Sequence, residues 1–168
     1  MVTLAMKQFV YQIKANNLPE LKNRSDVKFI ALKNAYDAFK YMHVLIKRFG
    51  YSSTLIKTVI KLILKRNVLY TVIYNKRIVS DGLANFGLCN FYAIEKNDCV
   101  IGPVWTDSSY RGKGFATFGL LNLLHFISNN TTVNSIYIDT SEDNIAMQSV
   151  ITKLDFLLSE KTYLRVDK

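Results

Sequence analysis

The sequence predicts an α/β fold in which helices pack against a mixed β-sheet. Strand-like and helical patterns follow one another in the order strand, two helices, three strands, helix, strand, helix and strand. The segment 115–128 has the length of a helix and is apolar on nearly all sides, as expected of a helix packed against a sheet. The 168 residues are 49% hydrophobic without a compositional break, so we expect a single domain over 1–168.

The first third of the chain is expected to contribute a basic N-terminal arm, one strand and two helices. Residues 1–25 are basic and weakly patterned, which indicates a loose arm or a short helix. The segment 27–32 is bounded like a strand. Two helices follow. The first is expected to begin at Asn34 and to stop before Gly50, and the second to begin at Ser52 or Ser53 and to end near residue 66.

After these helices the period of the apolar pattern changes to two, which is typical of strands. The expected strands are 68–74, 78–86, 99–106, 134–140 and 156–166, with 89–95 as an additional partner for 99–106. The apolar helix 115–128 lies between the strands 99–106 and 134–140. A last helix is expected to begin at Asp143 or Asn144 and to end near residue 154.

The charge of the chain favours an anionic partner, because the net charge is +9 and the pI is about 9.5. Nucleic acid, an anionic membrane surface and phosphorylated small molecules all qualify. Lys57, Lys61 and Lys65 recur at four-residue steps on the second helix, either as a solvated face or as a phosphate- or membrane-facing patch. No predicted strand interleaves aromatics with lysines as a base-stacking platform does, so we expect no nucleic-acid partner.

Cysteine usage and hydropathy predict the compartment. Cys89 and Cys99 lie far apart without metal-ligand spacing, so we expect neither a disulfide framework nor a metal site. The start, MVTLAMKQFVYQ, lacks the features of a signal peptide. No apolar run approaches the roughly 18 residues that span a bilayer. We therefore expect a cytoplasmic protein without stable membrane insertion, either a monomer or a homodimer.

The stretch TDSSYRGKGFATFG, at 106–119, carries the strongest functional signal. It follows a strand and opens a helix, and Gly112 and Gly114 permit backbone angles denied to other residues. The first turn of a helix has unbonded N–H groups and the positive end of the helix dipole, which together favour a phosphate. Arg111 and Lys113 add positive charge at the rim. The stretch therefore predicts an anion cradle.

Two common phosphate-binding motifs do not fit this stretch. A Walker loop requires GxxxxGK followed by Ser or Thr, and no glycine here has that spacing. The dinucleotide fingerprint GxGxxG requires a third glycine where Thr117 stands. The alternative to a phosphate site is a basic strand-to-helix turn without a ligand.

Two segments match a known family. Residues 111–116, RGKGFA, match R-x-x-G-x-A, and 143–156, DNIAMQSVITKLDF, is similar to N-x-A-x-x-x-V-x-x-K-x-G-F. These are signatures of the GNAT superfamily of N-acetyltransferases, which the chain resembles in element order over 27–166, although Ser108 stands where proline is usual. The resemblance implies a mixed, mostly antiparallel central sheet flanked by helices and splayed between its fourth and fifth strands. It also implies acetyl-CoA as the acyl donor.

The resemblance further implies where acetyl-CoA binds. The pantetheine arm would lie between the splayed strands and pair with the backbone of Val104 and Thr106 like an added strand. The pyrophosphate would lie on the N–H groups of 112–116, Asn144 would hydrogen-bond the pantetheine, and Lys153 would approach the adenosine phosphates. The expected coenzyme-binding residues are Val104, Trp105, Thr106, Arg111, Gly112, Lys113, Gly114, Phe115, Ala116 and Asn144.

The catalytic groups are less well specified. Enzymes of this kind transfer the acyl group directly to an amine, which must first lose a proton. Many members have a tyrosine seven residues after the asparagine, but Ile151 stands there, and Asp155 replaces the family's glycine. The candidates are Asp139, Glu142, Tyr163 and Glu95 for proton transfer and His43 and Tyr92 for acceptor contact, each with a capping or surface role as the alternative. His125 is expected to be a hydrogen-bonded core residue.

The acceptor is expected to be an anionic small-molecule amine. The layout of 88–116 resembles small GNAT proteins found with cell-surface polysaccharide synthesis, which favours an amino sugar on a nucleotide. One alternative is a protein N-terminus or lysine. Another is a module that binds acyl-CoA and has lost catalysis, which Ile151 and Asp155 slightly favour.

Overall fold

The computed structural model describes residues 5–64 and 67–166, which build one seven-stranded sheet with helices on both faces. The strands are β1 (Ala5–Lys14), β2 (Val27–Leu32), β3 (Asn67–Tyr74), β4 (Arg77–Phe86), β5 (Asp98–Thr106), β6 (Ser135–Ser141) and β7 (Leu157–Val166). The helices are α1 (Ala35–Lys40), α2 (Met42–Phe49), α3 (Ser53–Ile63), α4 (Phe115–Asn130) and α5 (Ile145–Thr152), with a 3-10 turn at Ser108–Tyr110. No helix in those ranges is long and apolar enough to cross a membrane.

The strands follow the order β2-β3-β4-β5-β6-β1-β7 across the sheet. β5 and β6 run parallel, and the other described neighbours run antiparallel. A parallel pair requires a crossover connection, which α4 provides between β5 and β6. The expected mixed, mostly antiparallel sheet flanked by helices is confirmed.

The expectation of a loose arm or short helix at 1–25 is wrong for Ala5–Lys14, which forms β1. This strand lies between β6 and β7, with Val10 opposite Asp139 and Gln8 opposite Tyr163. Neighbours on both sides satisfy its backbone groups, so the strand forms although its sequence alternates poorly and Gln8 is buried. Because β1 comes first in the chain, the fourth and fifth predicted strands are β5 and β6 here. Residues 1–4 lie outside the described ranges.

The expected strand at 89–95 is also wrong, because this segment lies in a loop over 87–97. Over 98–101, β5 already has β4 on one side and β6 on the other, so this half of the strand has no free edge for another partner. The loop instead covers one face of the sheet, where Tyr92 packs with Val100 and Tyr137. This contact brings a tyrosine hydroxyl to β6.

The predicted helix starts are confirmed by their caps. Asp37 N–H donates to Asn34 Oδ1 (2.9 Å) at α1, and Leu55 N–H donates to Ser52 Oγ (3.3 Å) at α3. The single helix expected between Asn34 and Gly50 is two helices, which join at residue 41. Gly50 ends α2 with φ 62°, as expected. α3 ends at residue 63, and the predicted stop at residue 66, like Lys65, lies outside the described ranges.

The two faces of the sheet carry different helices. α1–α3 cover β2–β4 on one face, where the fully buried residues include Leu32, Leu45 and Leu62. α4 and α5 cover the other face. There Gly119 of α4 lies against Tyr70 of β3, and a Cβ at Gly119 would be only 2.5 Å from Tyr70 Cε2. The missing side chain lets α4 lie close against the sheet. The N-terminus of α4 follows shortly after the end of β5.

Candidate active site

A gap opens in the sheet between β5 and β6. The two strands pair only over 98–101 and 135–138, and the last pair is Ile101 with Ile138. Pro103 follows and has no N–H to donate, while a bulge opposite Gly82 and Ala84 adds a residue to β5. β5 then continues along β4 and β6 continues along β1, so the strands diverge. The expected splay is confirmed.

The outer half of β5 presents to this gap backbone groups that pair with no strand in the described ranges. Asp107 N–H donates to Val79 O (3.0 Å), so the backbone groups of Asp107 and Trp105 point towards β4. Because backbone direction alternates along a strand, those of Val104 and Thr106 point the other way, into the gap. Arg111 Nε donates to Thr106 O (3.3 Å) at its outer end. An extended ligand has backbone partners here.

The glycine stretch forms the expected turn between β5 and α4. Gly112 has φ 75° and Gly114 has φ 77°, in the left-handed region that favours glycine. A Cβ built at either glycine would meet no atom within 4 Å, so the space above them is open. Gly114 begins α4 without a side-chain cap from the described residues, and the first helical bond is Phe118 N–H to Gly114 O (2.9 Å). The first-turn N–H groups before Phe118 are thus available to a phosphate.

The cations around this turn hold its shape. Lys113 Nζ donates to Ser109 O (3.1 Å), so its ammonium is tied to the turn. Arg24 approaches from the segment before β2, donates from Nη1 to Lys113 O (3.2 Å) and places its guanidinium 4.7 Å over the Phe115 ring. Sequence reasoning missed Arg24, because it is 89 residues from Lys113 and no local pattern connects them.

Three of the expected residues meet in one cluster on the face opposite α4. Asp139 is the first residue of β6 beyond the last β5–β6 pair. Its carboxylate accepts from Tyr92 Oη at Oδ2 (3.2 Å) and from Tyr163 Oη at Oδ1 (2.9 Å). The sequence pointed to each of these residues but not to their contact, because Tyr92 lies in a loop, Asp139 in a central strand and Tyr163 in an edge strand.

The two hydroxyls of this cluster hold their protons tightly. Burial raises the pKa of Tyr92 above its ordinary value, and the charge of Asp139 raises it further. Burial and then Asp139 raise the pKa of Tyr163 in the same way. At neutral pH the cluster therefore consists of one carboxyl group and two protonated hydroxyls, a combination that can accept or release a proton.

The other candidates lie apart from the cluster. Glu142 is exposed in the turn after β6, Glu95 is exposed in the loop 87–97, and His43 is exposed on α2. Asn144 is exposed and caps α5, because Met147 N–H donates to its Oδ1 (3.2 Å), which leaves Nδ2 as a further donor. His125 is half-buried and its Nε2 is 2.8 Å from Pro19 O, so it is hydrogen-bonded as expected.

The two departures from the family pattern have structural explanations. Ile151 is fully buried and forms part of the core under α5, so its position supplies packing. Asp155 adopts φ 59° itself, the conformation for which glycine is favoured. The turn closes with Asp155 N–H donating to Thr152 O (3.1 Å), so aspartate takes the place of glycine there.

Comparisons with known proteins agree with this geometry. The family described as an acetyltransferase (GNAT) domain matches residues 46–157, about two thirds of the chain. No curated protein matches the chain in sequence.

Solved structures share the fold at low sequence identity. AAC(6')-Iy, in complex with the bisubstrate analogue CoA-S-monomethyl-acetylneamine, has a TM-score of 0.64 at 14% identity, covering 86% of this chain and 99% of its own. A tandem GNAT protein from the clavulanic acid biosynthesis pathway has a TM-score of 0.65 at 11% identity, covering 95% of this chain and 52% of its own.

A GNAT-family acetyltransferase from Colwellia psychrerythraea has a TM-score of 0.61 at 14% identity, covering 95% of this chain and 54% of its own. The chain thus spans little more than half of the length of the tandem and Colwellia proteins, and of several others that it matches. With the match over 46–157, the chain belongs to the GNAT acetyltransferase family.

Proposed function

We propose that the chain transfers an acetyl group from acetyl-CoA to the primary amine of a small molecule. The observation that carries this proposal is the Asp139 carboxylate, which lies where the β5–β6 gap begins and is held by two tyrosine hydroxyls. Acetyl-CoA, when bound, supplies an activated thioester. The remaining requirements are a site that holds it and a group that handles the amine proton.

The residues around the gap fit CoA. The open space above Gly112 and Gly114 and the N–H groups of the first turn of α4 suit a pyrophosphate. The backbone groups of Val104 and Thr106 suit the amides of a pantetheine arm. The free Nδ2 of Asn144 is a further donor at the opposite side of the gap, at the start of α5.

Asp139 and Tyr163 have different roles in proton transfer. A primary amine has a pKa near 10, as lysine does, so it arrives protonated and cannot attack. Asp139 attracts the ammonium and takes its proton at a carboxylate oxygen. Tyr163 is protonated at neutral pH and donates to Asp139, so it can relay a proton: its Oη gives one to the leaving thiolate while Asp139 returns to Oη the one taken from the amine. Tyr163 thereby replaces the acid that is missing at Ile151.

The acceptor that we favour is a phosphorylated amine, such as an amino sugar on a nucleotide. Among the solved structures, AAC(6')-Iy is in complex with CoA-S-monomethyl-acetylneamine, and an aminoglycoside acetyltransferase from an uncultured soil metagenomic sample is in complex with sisomicin. A chain with a net charge of +9 repels polycations and basic peptides and attracts anions. A protein N-terminus or lysine is therefore the weaker alternative. An acyl-CoA-binding module without catalysis remains the second alternative.

The test is release of free CoA thiol from acetyl-CoA in the presence of a panel of amines. Asp139→Asn should lower kcat by about 10² to 10⁴-fold, the usual contribution of a general base, without weakening acetyl-CoA binding. Glu142→Gln removes the same charge three residues away and should leave kcat within about twofold of wild type. An Asp139→Asn enzyme with full kcat would refute the assignment. A wild-type protein that binds acetyl-CoA but uses no amine would support the inactive module.

A further inference from the structure

A basic cleft lies on the face of the sheet that also carries Asp139. Its volume is about 450 Å³. Its walls come from the end of α2, the start of β4 and the end of β5, and the lining residues are Lys47, Arg48, Arg77, Ile78, Trp105 and Asp107. Of the residues expected to bind the coenzyme only Trp105 lines this cleft, and the acetyl-CoA site described above uses the backbone of its neighbours Val104 and Thr106.

One of its cations is already neutralised and positioned. Arg48 Nε donates to the buried carboxylate of Asp81, and the guanidinium lies 3.7 Å over the Trp105 ring. The ion pair and the ring fix Arg48 as part of the wall. Its remaining N–H groups are donors at a fixed place.

The other two cations are exposed and available. Lys47 donates from Nζ only to Lys76 O (3.3 Å), and within residues 5–64 and 67–166 no acidic side chain forms an ion pair with Lys47 or Arg77. The one lining carboxylate, Asp107, accepts from Ser109 N–H (2.9 Å) and closes the turn beside it. The cleft therefore carries an excess of positive charge.

The position of the cleft relates it to the proposed chemistry. Trp105 lies between Val104 and Thr106, and its side chain points to the face opposite α4, where Asp139 also lies. Asp139 is one residue beyond the last β5–β6 pair and Trp105 is four residues beyond it. At a rise of about 3.3 Å per residue, the cleft is roughly 10 Å along the strands from Asp139.

From this arrangement we propose that the cleft binds a phosphate or diphosphate group of the acceptor, held more than about 10 Å from the amine that is acetylated, because the spacing across the strands adds to the distance along them. This inference rests on the proposed function, because it takes Asp139 as the place of the amine. A phosphate ester carries close to two negative charges at neutral pH and has several acceptor oxygens. Two or three cations lining one cleft can therefore bind a phosphate group better than they can bind a single carboxylate group.

The phosphate could come from the acceptor or from CoA itself, and binding measurements separate these sources. The probe is inorganic pyrophosphate, titrated into protein saturated with CoA so that the glycine turn is filled. Lys47→Gln/Arg77→Gln changes two exposed side chains, and Lys22→Gln/Lys28→Gln removes the same charge from exposed positions elsewhere.

We expect pyrophosphate affinity to fall at least tenfold in the cleft variant and to stay within about twofold in the control, with acetyl-CoA affinity unchanged in both. Equal pyrophosphate affinity in the two variants would overturn the proposal. A parallel loss of acetyl-CoA affinity in the cleft variant would assign the cleft to the coenzyme and would overturn it as well.

Kinetics test the link to the acceptor. 10-Aminodecyl phosphate is flexible and long enough for the separation between Asp139 and the cleft, and 10-aminodecanol is the matched amine without phosphate. The wild type should have at least a tenfold lower KM for the phosphate, and the cleft variant should lose this preference while its kcat and its KM for the alcohol stay constant. Equal use of the two amines by the wild type would overturn the acceptor assignment. If neither amine is acetylated while pyrophosphate binding still depends on Lys47 and Arg77, the phosphate site stands and the proposed function fails.

Discussion

Replacement of Gly114 by glutamate tests the phosphate cradle most directly. Gly114 has φ 77°, so any other L-residue costs about 1–2 kcal/mol there. A carboxylate in the first turn of a helix stabilises the folded state by about 0.3–1 kcal/mol through the helix dipole, which offsets part of this cost. The net cost is therefore small compared with the usual stability of a domain of this size, and Gly114→Glu should fold.

The effect on CoA binding should be much larger than the effect on stability. The glutamate carboxylate enters the open space above Gly114, where the pyrophosphate would lie. Two unit charges 4 Å apart repel by about 4 kcal/mol at an effective dielectric constant near 20. Since about 1.4 kcal/mol is tenfold in affinity, we expect acetyl-CoA binding to weaken by about 10³-fold.

The measurement is thermal unfolding with and without acetyl-CoA. At a hundred times its dissociation constant the ligand adds about 2.7 kcal/mol to the free energy of unfolding of the wild type. For a chain of 168 residues this raises Tm by about 5–10 °C. Gly114→Glu should show no shift at the same concentration.

Gly114→Ala is the matched control, because it has the same left-handed backbone strain without the charge. Its methyl group would meet no atom within 4 Å. It should lower Tm as the glutamate does and keep most of the shift with acetyl-CoA. A normal acetyl-CoA shift in Gly114→Glu would refute the assignment of the phosphate to this turn.

Three further changes test the structure around the site. Arg48→Met should lower the free energy of unfolding by about 3 kcal/mol at pH 7, because the buried Asp81 loses its partner. Urea melts should show a smaller loss near pH 4, since burial raises the pKa of Asp81 and its carboxyl group becomes protonated. A loss below 1 kcal/mol at pH 7 would contradict this. Gly119→Ala should cost about 1–3 kcal/mol in the same assay, because its Cβ would lie 2.5 Å from Tyr70 Cε2; unchanged stability would mean that α4 shifts freely. The raised pKa of Tyr163 means that the folded protein resists ionisation of this hydroxyl, so the free energy of unfolding should fall as the pH rises above about 10. The fall should be less steep in Tyr163→Phe. Equal slopes of the free energy of unfolding against pH in the two proteins, from pH 9 to 11, would count against the cluster.

The features predicted correctly from the sequence depend on neighbours along the chain. Asn34 and Ser52 cap helices by accepting from an N–H three residues later. Gly50 adopts positive φ where α2 ends, and Gly114 adopts it in the turn that precedes α4. Such interactions are complete within one turn, so the local sequence specifies them. The α/β class follows from the same local patterns, since each element shows its own periodicity.

The errors arose where distant segments decide the outcome. β1 has a weak pattern of its own, and it is a strand because β6 and β7 supply partners on both sides. The segment 89–95 has strand-like residues, and it is a loop because the first half of β5 is already paired on both sides. Pairing between strands far apart in sequence determines both cases, and local propensity is too weak to oppose it.

The sequence by itself determined the family, the glycine turn and the order of most elements, because these rest on contiguous residues. The tertiary structure decided which side chains meet. It brought Tyr92, Asp139 and Tyr163 together from a loop and two strands, placed Arg24 against the glycine turn, and set the cations of α2 beside Trp105. Such meetings depend on strand order and register, where a change of one position would turn each side chain to the opposite face of the sheet.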